Sequence, residues 1–383
     1  MTAVDPVVLT RDLIRCDSVT PADGGAMDVV EQALTGLGFA CRRMKFGQIE
    51  NLYARRGSAR PNLCFAGHTD VVPVGDRAAW SHGPFDATID EDVLHGRGAV
   101  DMKSAVAAFI SAVAGVLDRG EPAGSISLLI TGDEEGVAED GTRAVVAALA
   151  AEGEIIDHCV VGEPTSSAAL GDMIKIGRRG SINAVVTVQG VQGHAAYPHR
   201  AANPVAPLIR LLASVQARVL DEGYQGFQPS NLEVTSVDVD NPAHNVIPAR
   251  ATARLNIRFN PAHSGAALAA WLEQEARRAN EGFSGRLNLE TRISGEAFLT
   301  EPGAFTSLVA GAVEAVTGRT AELSTTGGTS DARFIRTLCP VVELGLVGAT
   351  MHQVDERAPV AEIRDLARIY ERLIEAYFAR FGG

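Results

Sequence analysis

Three short apolar runs in this chain end in side chains that bind metal ions, and this pattern narrows the fold more than any other feature. Leu63-Cys64-Phe65-Ala66 leads into Gly67-His68-Thr69-Asp70. Ser127-Leu128-Leu129-Ile130-Thr131-Gly132 leads into Asp133-Glu134-Glu135-Gly136, and Val160-Val161-Gly162 leads into Glu163-Pro164. Runs this short and this apolar read as strands buried on both faces, which belong to α/β sheets covered by helices. In an open α/β sheet, ligand sites collect outside the carboxyl ends of the strands. Two further groups complete the pattern: Asp101, in Gly96-Arg97-Gly98-Ala99-Val100-Asp101-Met102-Lys103, and the distant His352, in Thr350-Met351-His352-Gln353.

The first half of the chain alternates helix-like and strand-like stretches, as an α/β domain does. Val7 to Ile14 and Ala26 to Leu37 read as helices, and Met102 to Leu117 as a buried one. Asn62 to Ala66, Ser125 to Thr131 and His158 to Gly162 read as strands. The character changes near Lys175-Ile176-Gly177-Arg178-Arg179-Gly180. There follow an alternating strand, Ile182 to Val188, a helix, Pro204 to Leu220, and two strands, Asn231 to Val239 and Ala251 to Phe259. A helix, Ala266 to Asn280, and a strand, Arg286 to Ile293, complete a β-α-β-β-α-β order, a known compact unit. The expected organisation is a domain of residues 1–179 and 294–383 with residues 180–293 inserted. The first domain resumes with a helix from Phe305 to Val316, a strand from Pro340 to Gly345 and an amphipathic closing helix from Ile363 to Phe378.

A chain of 383 residues suits two such domains. Its formal net charge of -13 argues against nucleic acid or an anionic membrane as partner. A local arginine cluster can still grip an anionic substrate. The five cysteines are scattered, odd in number and without a C-x-x-C pair, so a reducing, cytoplasmic setting is expected. The opening Met1-Thr2-Ala3-Val4-Asp5-Pro6 lacks a basic region followed by an apolar stretch, so no signal peptide is expected. No apolar run reaches the roughly 18 residues of a membrane span.

Imidazole and carboxylate donors suit zinc and similar divalent ions. A pair of ions needs a bridging group, and Asp101 is the natural one, since a carboxylate has an oxygen for each ion. His68 and Glu163 can hold one ion, Glu135 and His352 the other. Neighbouring side chains diverge along a strand end, so Glu134 can face the attacking water as general base while Glu135 faces the metals. Asp70, two residues from His68, can accept from the imidazole's free nitrogen and orient the ring. Singly, each piece has an ordinary reading. A lone His-x-Asp is more often a surface turn, and Asp133-Glu134-Glu135 a solvated acidic turn. Together, carboxylates gathered at the edge of a core repel one another unless a cation is present.

These stretches resemble the binuclear-zinc metallopeptidase family of aminoacylases, carboxypeptidases and amino-acid deacylases. Gly162-Glu163-Pro164-Thr165, Trp80-Ser81-His82-Gly83-Pro84-Phe85, Gly193-His194-Ala195-Ala196-Tyr197-Pro198-His199, Asn245-Val246-Ile247-Pro248 and Gly327-Gly328-Thr329-Ser330-Asp331-Ala332-Arg333-Phe334 extend the likeness nearly end to end. The resemblance implies a zinc-exopeptidase-like catalytic domain with an inserted ferredoxin-like dimerisation domain. It implies metal ligands at His68, Asp101, Glu135, Glu163 and His352, Glu134 as base, Asp70 behind His68, and a cis peptide after Asp101. Members are homodimers through the inserted domain, and His194 resembles the histidine that reaches the partner's active site to help hold the oxyanion. The expected cofactor is two Zn2+ per subunit, with Co2+ as a substitute. Two positions depart from the nearest pattern: Gly348 replaces an asparagine four residues before the last histidine, and His244-Asn245 replaces a pair of asparagines.

The expected reaction is removal of a succinyl group from an amino group, with a related N-acyl-amino-acid deacylase or exopeptidase as alternative. A catalytically silent binding protein on this scaffold is a third reading, disfavoured by the intact Glu134. Arg178, Arg179 and Arg258 are candidates for gripping substrate carboxylates, since a guanidinium pairs with a carboxylate in two parallel hydrogen bonds. A single arginine is otherwise an ordinary surface ion pair. Tyr197 and Asn245 are further substrate candidates, and Tyr197, His199 and Asn203 can equally serve only to shape their loop. Thr329 and Ser330 can donate to a carboxylate near a helix N-terminus or act as helix caps.

Overall fold

The computed structural model describes residues 4–383; residues 1–3, where the segment read above for a leader begins, lie outside it. The chain divides into two compact units. One contains the chain up to Ile176 together with Thr300–Ser324 and Ser330–Gly383; the other contains Gly177–Leu299 and Thr325–Thr329.

The first unit is built on an eight-stranded mixed sheet. From one edge the order is Ala40–Phe46, Ile49–Arg56, Ser125–Thr131, Asn62–His68, His158–Val161, Val341–Glu343, Met173–Lys175 and Glu322–Ser324. The central strands Ser125–Thr131, Asn62–His68, His158–Val161 and Val341–Glu343 run parallel to one another. Every residue of Asn62–His68 and Ser125–Thr131 is buried, which is why they read as unbroken apolar runs rather than alternating ones. The helix Lys103–Arg119 is buried along most of its length and packs against the closing helix Val360–Phe381 and the first helix Pro6–Ile14. Phe65 of the central strand stacks on Phe109 of the buried helix at 4.3 Å and meets Tyr370 of the closing helix edge-on at 5.5 Å. That aromatic cluster fastens two helices to the strand that carries His68. Asp5 caps the first helix by accepting from Val7 and Val8 N–H, with Pro6 at its first position.

The α/β class expected from the sequence is the class observed. The antiparallel hairpin of Ala40–Phe46 and Ile49–Arg56, the helix Thr142–Ala151 and the small sheet of Thr88–Asp90, Val93–His95 and Arg357–Pro359 are additions. The hairpin strands carry several charges, Arg42, Arg43 and Lys45 on one and Glu50, Arg55 and Arg56 on the other. They join the sheet only because Ile49–Arg56 pairs antiparallel with Ser125–Thr131.

The second unit is a four-stranded antiparallel sheet with two helices, Val205–Gln216 and Gly265–Asn280. Its strand order, Asn231–Asp238, Arg250–Phe259, Gly180–Gln189, Arg286–Gly295, together with the β-α-β-β-α-β succession, makes it ferredoxin-like. Alternation decides its packing. Ile182, Ala184, Val186 and Val188 face a core shared with Leu208, Leu211, Leu268 and Leu272 of the helices. Ser264 caps the second helix by accepting from Ala267 N–H, and Arg277 and Arg278 lie in its last turn, where they suit the dipole.

Candidate metal centre

The first unit gathers its carboxylates and imidazoles at the carboxyl ends of its parallel strands. His68 is the last residue of Asn62–His68, Glu134 and Glu135 follow Ser125–Thr131, and Glu163 follows His158–Val161. Asp101 precedes the helix Lys103–Arg119, and its peptide bond to Met102 is cis. Gly67 permits this close packing, since a Cβ there would collide with the Met102 methyl. His352 comes from a loop after the strand Val341–Glu343 and adopts a left-handed backbone, φ 62°.

Asp101 sits between the two histidines. Its Oδ1 is 3.2 Å from His68 Nε2, and its Oδ2 is 3.2 Å from His352 Nε2. Glu163 Oε1 lies 3.7 Å from the same His68 nitrogen, and Glu135 Oε1 lies 2.9 Å from the same His352 nitrogen. Two half-sites therefore share one carboxylate. Ligand atoms of His68, Asp101 and Glu135 fall within 4.8 Å of one another, as do those of His68, Glu134 and Glu163. The two histidines differ in setting: His68 is 1% exposed, whereas the His352 side chain is 48% exposed.

Asp70 does a different job from the one expected. His68 Nδ1 bonds the main-chain oxygen of Asp70 at 2.9 Å, while the nearer carboxylate oxygen stands at 3.6 Å, beyond hydrogen-bond reach. The carboxylate already has donors. It accepts from Thr20 Oγ1 at 2.7 Å and from the main-chain N–H groups of Glu134 and Glu135 at 3.2 and 3.1 Å. Asp70 thus orients the His68 ring through its backbone and holds the Glu134–Glu135 segment through its side chain.

Crowding of like charge governs the electrostatics. Burial, then the charges of Glu163 and Asp331, push the Glu134 carboxyl well above the usual range. Burial opposes ionisation of Asp101, but hydrogen bonds from His352 and His68 outweigh it and hold that carboxyl well below the usual range. His352 is raised to about 10 by its bonds to Asp101 and Glu135. Burial alone would lower His68, yet Asp101 and the surrounding carboxylates raise it well above the ordinary imidazole value. Without an ion the cluster favours protons on its histidines, and a divalent cation held by the same carboxylates would take their place. The donor set of imidazoles and carboxylates fits zinc and its neighbours.

The other candidates lie in the second unit, apart from Ser330. Arg178 is buried and donates to Thr326 O at 3.2 Å. Arg258 donates to Asn256 Oδ1 at 3.0 Å and Arg179 to Asn231 Oδ1 at 3.0 Å. Burial and the neighbouring Arg179 charge lower the Arg258 pKa, a mark of concentrated positive charge. His194 accepts from Ala196 N–H through Nδ1 at 3.0 Å and lies exposed beside the Tyr197 ring, 5.7 Å away. Tyr197, His199 and Asn203 are exposed, and Asn245 is exposed with its carbonyl bonded by Ala195 N–H. Thr329 is half-buried. Ser330, in the first unit, gives its hydroxyl to Glu343 Oε1 at 2.6 Å and so neither caps the short helix Ala332–Ile335 nor offers that proton to a ligand.

Asp331 escaped the sequence reading. It is buried, with Arg333 Nη2 3.9 Å from its Oδ1, and burial raises its carboxyl to about 6. Its position between Ser330 and the short helix gave no signal, because its nearness to Glu134 exists only in the fold.

The model of peptidase family M20/M25/M40 matches residues 64–376. The chain belongs to this family. Among its M20 relatives, the succinyl-diaminopimelate desuccinylase of Caulobacter vibrioides is 71% identical over 379 residues, covering 99% of this chain and 97% of the relative. The succinyl-diaminopimelate desuccinylase of Phenylobacterium zucineum is 69% identical over 377 residues, covering 98% and 99%. Solved M20 structures share the fold. A metallo-carboxypeptidase, Sso-CP2, from Sulfolobus solfataricus has a TM-score of 0.80 at 17% identity, covering 98% and 99%. A dinuclear metal binding peptidase, YXEP, from Bacillus subtilis has a TM-score of 0.71 at 15% identity, covering 97% of each chain.

Proposed function

We propose that the protein is a succinyl-diaminopimelate desuccinylase, hydrolysing N-succinyl-LL-2,6-diaminopimelate to succinate and LL-2,6-diaminopimelate in diaminopimelate and lysine biosynthesis. The chemistry rests on one observation: the two oxygens of Asp101 each face a different histidine, backed by Glu163 on one side and Glu135 on the other. The substrate follows from the relatives, at 71% and 69% identity over nearly their whole length.

In this reading His68, Asp101 and Glu163 hold one ion, and His352, Asp101 and Glu135 the other, as two Zn2+ per subunit with Co2+ as a substitute. When bound, such a pair polarises the amide carbonyl and eases deprotonation of the attacking water. Glu134 accepts the water proton as the C–O bond forms, then delivers it to the nitrogen as the C–N bond breaks. Its raised pKa suits the delivery. Asp70 keeps Glu134 in place through the backbone bond at 3.2 Å.

The first unit is the catalytic domain, and the second is the dimerisation and lid domain of a homodimer. From there Arg178 and Arg258 pair with substrate carboxylates, of which N-succinyl-diaminopimelate has three, aided by Tyr197, Asn245 and Thr329. Ser330 supports that loop through Glu343. His194 acts on the oxyanion in the partner's site. A cytoplasmic setting fits the five free cysteines, and no helix among the described residues is long and apolar enough to cross a membrane.

The test compares turnover of N-succinyl-LL-2,6-diaminopimelate with that of N-acetylornithine by purified protein reconstituted with zinc. The succinyl substrate is expected to win by orders of magnitude, because the acetyl group brings no carboxylate to the arginines, and a site built for a polar group rejects analogues that lack it. Preference for the acetylated compound overturns the substrate while leaving the metal-hydrolase reading intact.

A further inference from the structure

Glu356 belongs to no ligand set, yet it is 0% exposed and four hydrogen bonds converge on its carboxylate. Oε1 accepts from the main-chain N–H groups of Val100 at 2.9 Å and Asp101 at 3.1 Å. Oε2 accepts from Gly98 N–H at 3.1 Å and Arg97 Nη1 at 2.8 Å. The backbone joins in, with Glu356 O accepting from Gly96 N–H at 2.9 Å. Arg97 Nη1 also donates to Gln353 O at 3.0 Å, and its guanidinium lies 5.2 Å from the Trp80 ring centre.

This network joins two distant pieces of chain. One is 96–101, which ends in the shared carboxylate Asp101. The other is 353–356, which begins directly after His352. His68 needs no such help, because it ends a buried strand and its ring is held by Asp70 O. His352 lies on a loop with a left-handed backbone and a half-exposed side chain.

We propose that Glu356 is a positioning residue for the metal centre: it sets Asp101 and His352 against each other and so fixes the more exposed half-site. The role rests on the ligand set proposed above. Both oxygens of Glu356 are saturated with donors, so a carboxamide preserves the shape but turns an NH2 group toward N–H donors that it cannot satisfy. Residues that orient ligands from behind typically change metal affinity by about 10–100-fold when replaced.

Metal-free E356Q and unaltered protein are titrated with Co2+, followed by calorimetry and visible absorption. In the unaltered protein two binding steps are expected. E356Q is expected to weaken the second step about 10–100-fold and the first step less, since the first ion shares Asp101 but not His352, with the absorption of the second ion altered most. Two unchanged steps overturn the role, and so does equal weakening of both, the sign of a general loosening of the fold. An unaltered protein that takes up fewer than two ions instead refutes the ligand set on which the role rests. Should E356Q fail to fold, hydrogen exchange on the unaltered protein decides. The amides of 96–101 are expected to slow with the second equivalent of Co2+, and their indifference to it overturns the proposal.

Discussion

Replacing Asp70 with asparagine tests how the Glu134–Glu135 segment is held. The carboxylate is fully buried and accepts three hydrogen bonds, from Thr20 Oγ1 and from the N–H groups of Glu134 and Glu135. Asparagine offers one oxygen and one NH2 in the same space. If the oxygen keeps the Glu135 N–H and Thr20, the NH2 points at the Glu134 N–H; if it turns over, two donors are lost instead of one. Losing one bond to a charged acceptor costs about 1.5–3 kcal/mol, which corresponds to a fall of about 10–150-fold if it is felt fully in the transition state. The His68 ring keeps its bond to the main-chain oxygen of residue 70, so the first metal is expected to stay. The assay measures kcat/KM alongside metal content and Tm. Asp70→Asn is expected to retain both metals at saturating zinc, fold normally and lose at least tenfold in kcat. Activity within about threefold of the unaltered enzyme would falsify the claim that the carboxylate positions Glu134. Loss of the metal at His68 would show that the side chain, not the backbone oxygen, orients that ring.

Four further outcomes are expected. Glu134→Ala should keep its metals but lose turnover by about 10²–10⁴-fold or more, as for a general base; metal analysis beside a rate assay decides, and a near-normal rate removes Glu134 from the mechanism. Metal affinity should rise with pH up to about 10, because His352 holds a proton up to that pKa in the metal-free protein and the ion must displace it. The same raised pKa means that His352 lends the metal-free fold stability that is complete below about 6.5 and lost as pH rises through about 10. Calorimetry in buffers of different ionisation enthalpy should find proton release on binding; none at pH 7 contradicts the protonated cluster. A mixed dimer of His194→Ala and Glu134→Ala chains should recover about half the sites' activity, since one site then receives both intact groups, and verified heterodimers with no recovery would count against action across the interface.

Much of this protein could be read before its fold was known. The strands ending in His68, Glu134–Glu135 and Glu163 were legible because burial on both faces imposes an unbroken apolar run, and the residue that breaks it stands at the carboxyl end. The second unit was legible because one open face imposes strict alternation, as in Ile182, Ala184, Val186 and Val188. The hairpin Ala40–Arg56 was not, since its charged strands gain their place by pairing with Ser125–Thr131. Nor were the partners of Asp70, Asp331 and Glu356. Glu356 meets Val100 and Asp101 across more than 250 positions, and a hydrogen bond between such distant residues leaves no period in the chain. Local sequence determined which side chains can bind a metal and which backbone presents them. Only tertiary structure decided which carboxylates stand behind that cluster as buried acceptors, as Asp70 and Glu356 do, because that depends on which donors the fold brings within about 3 Å.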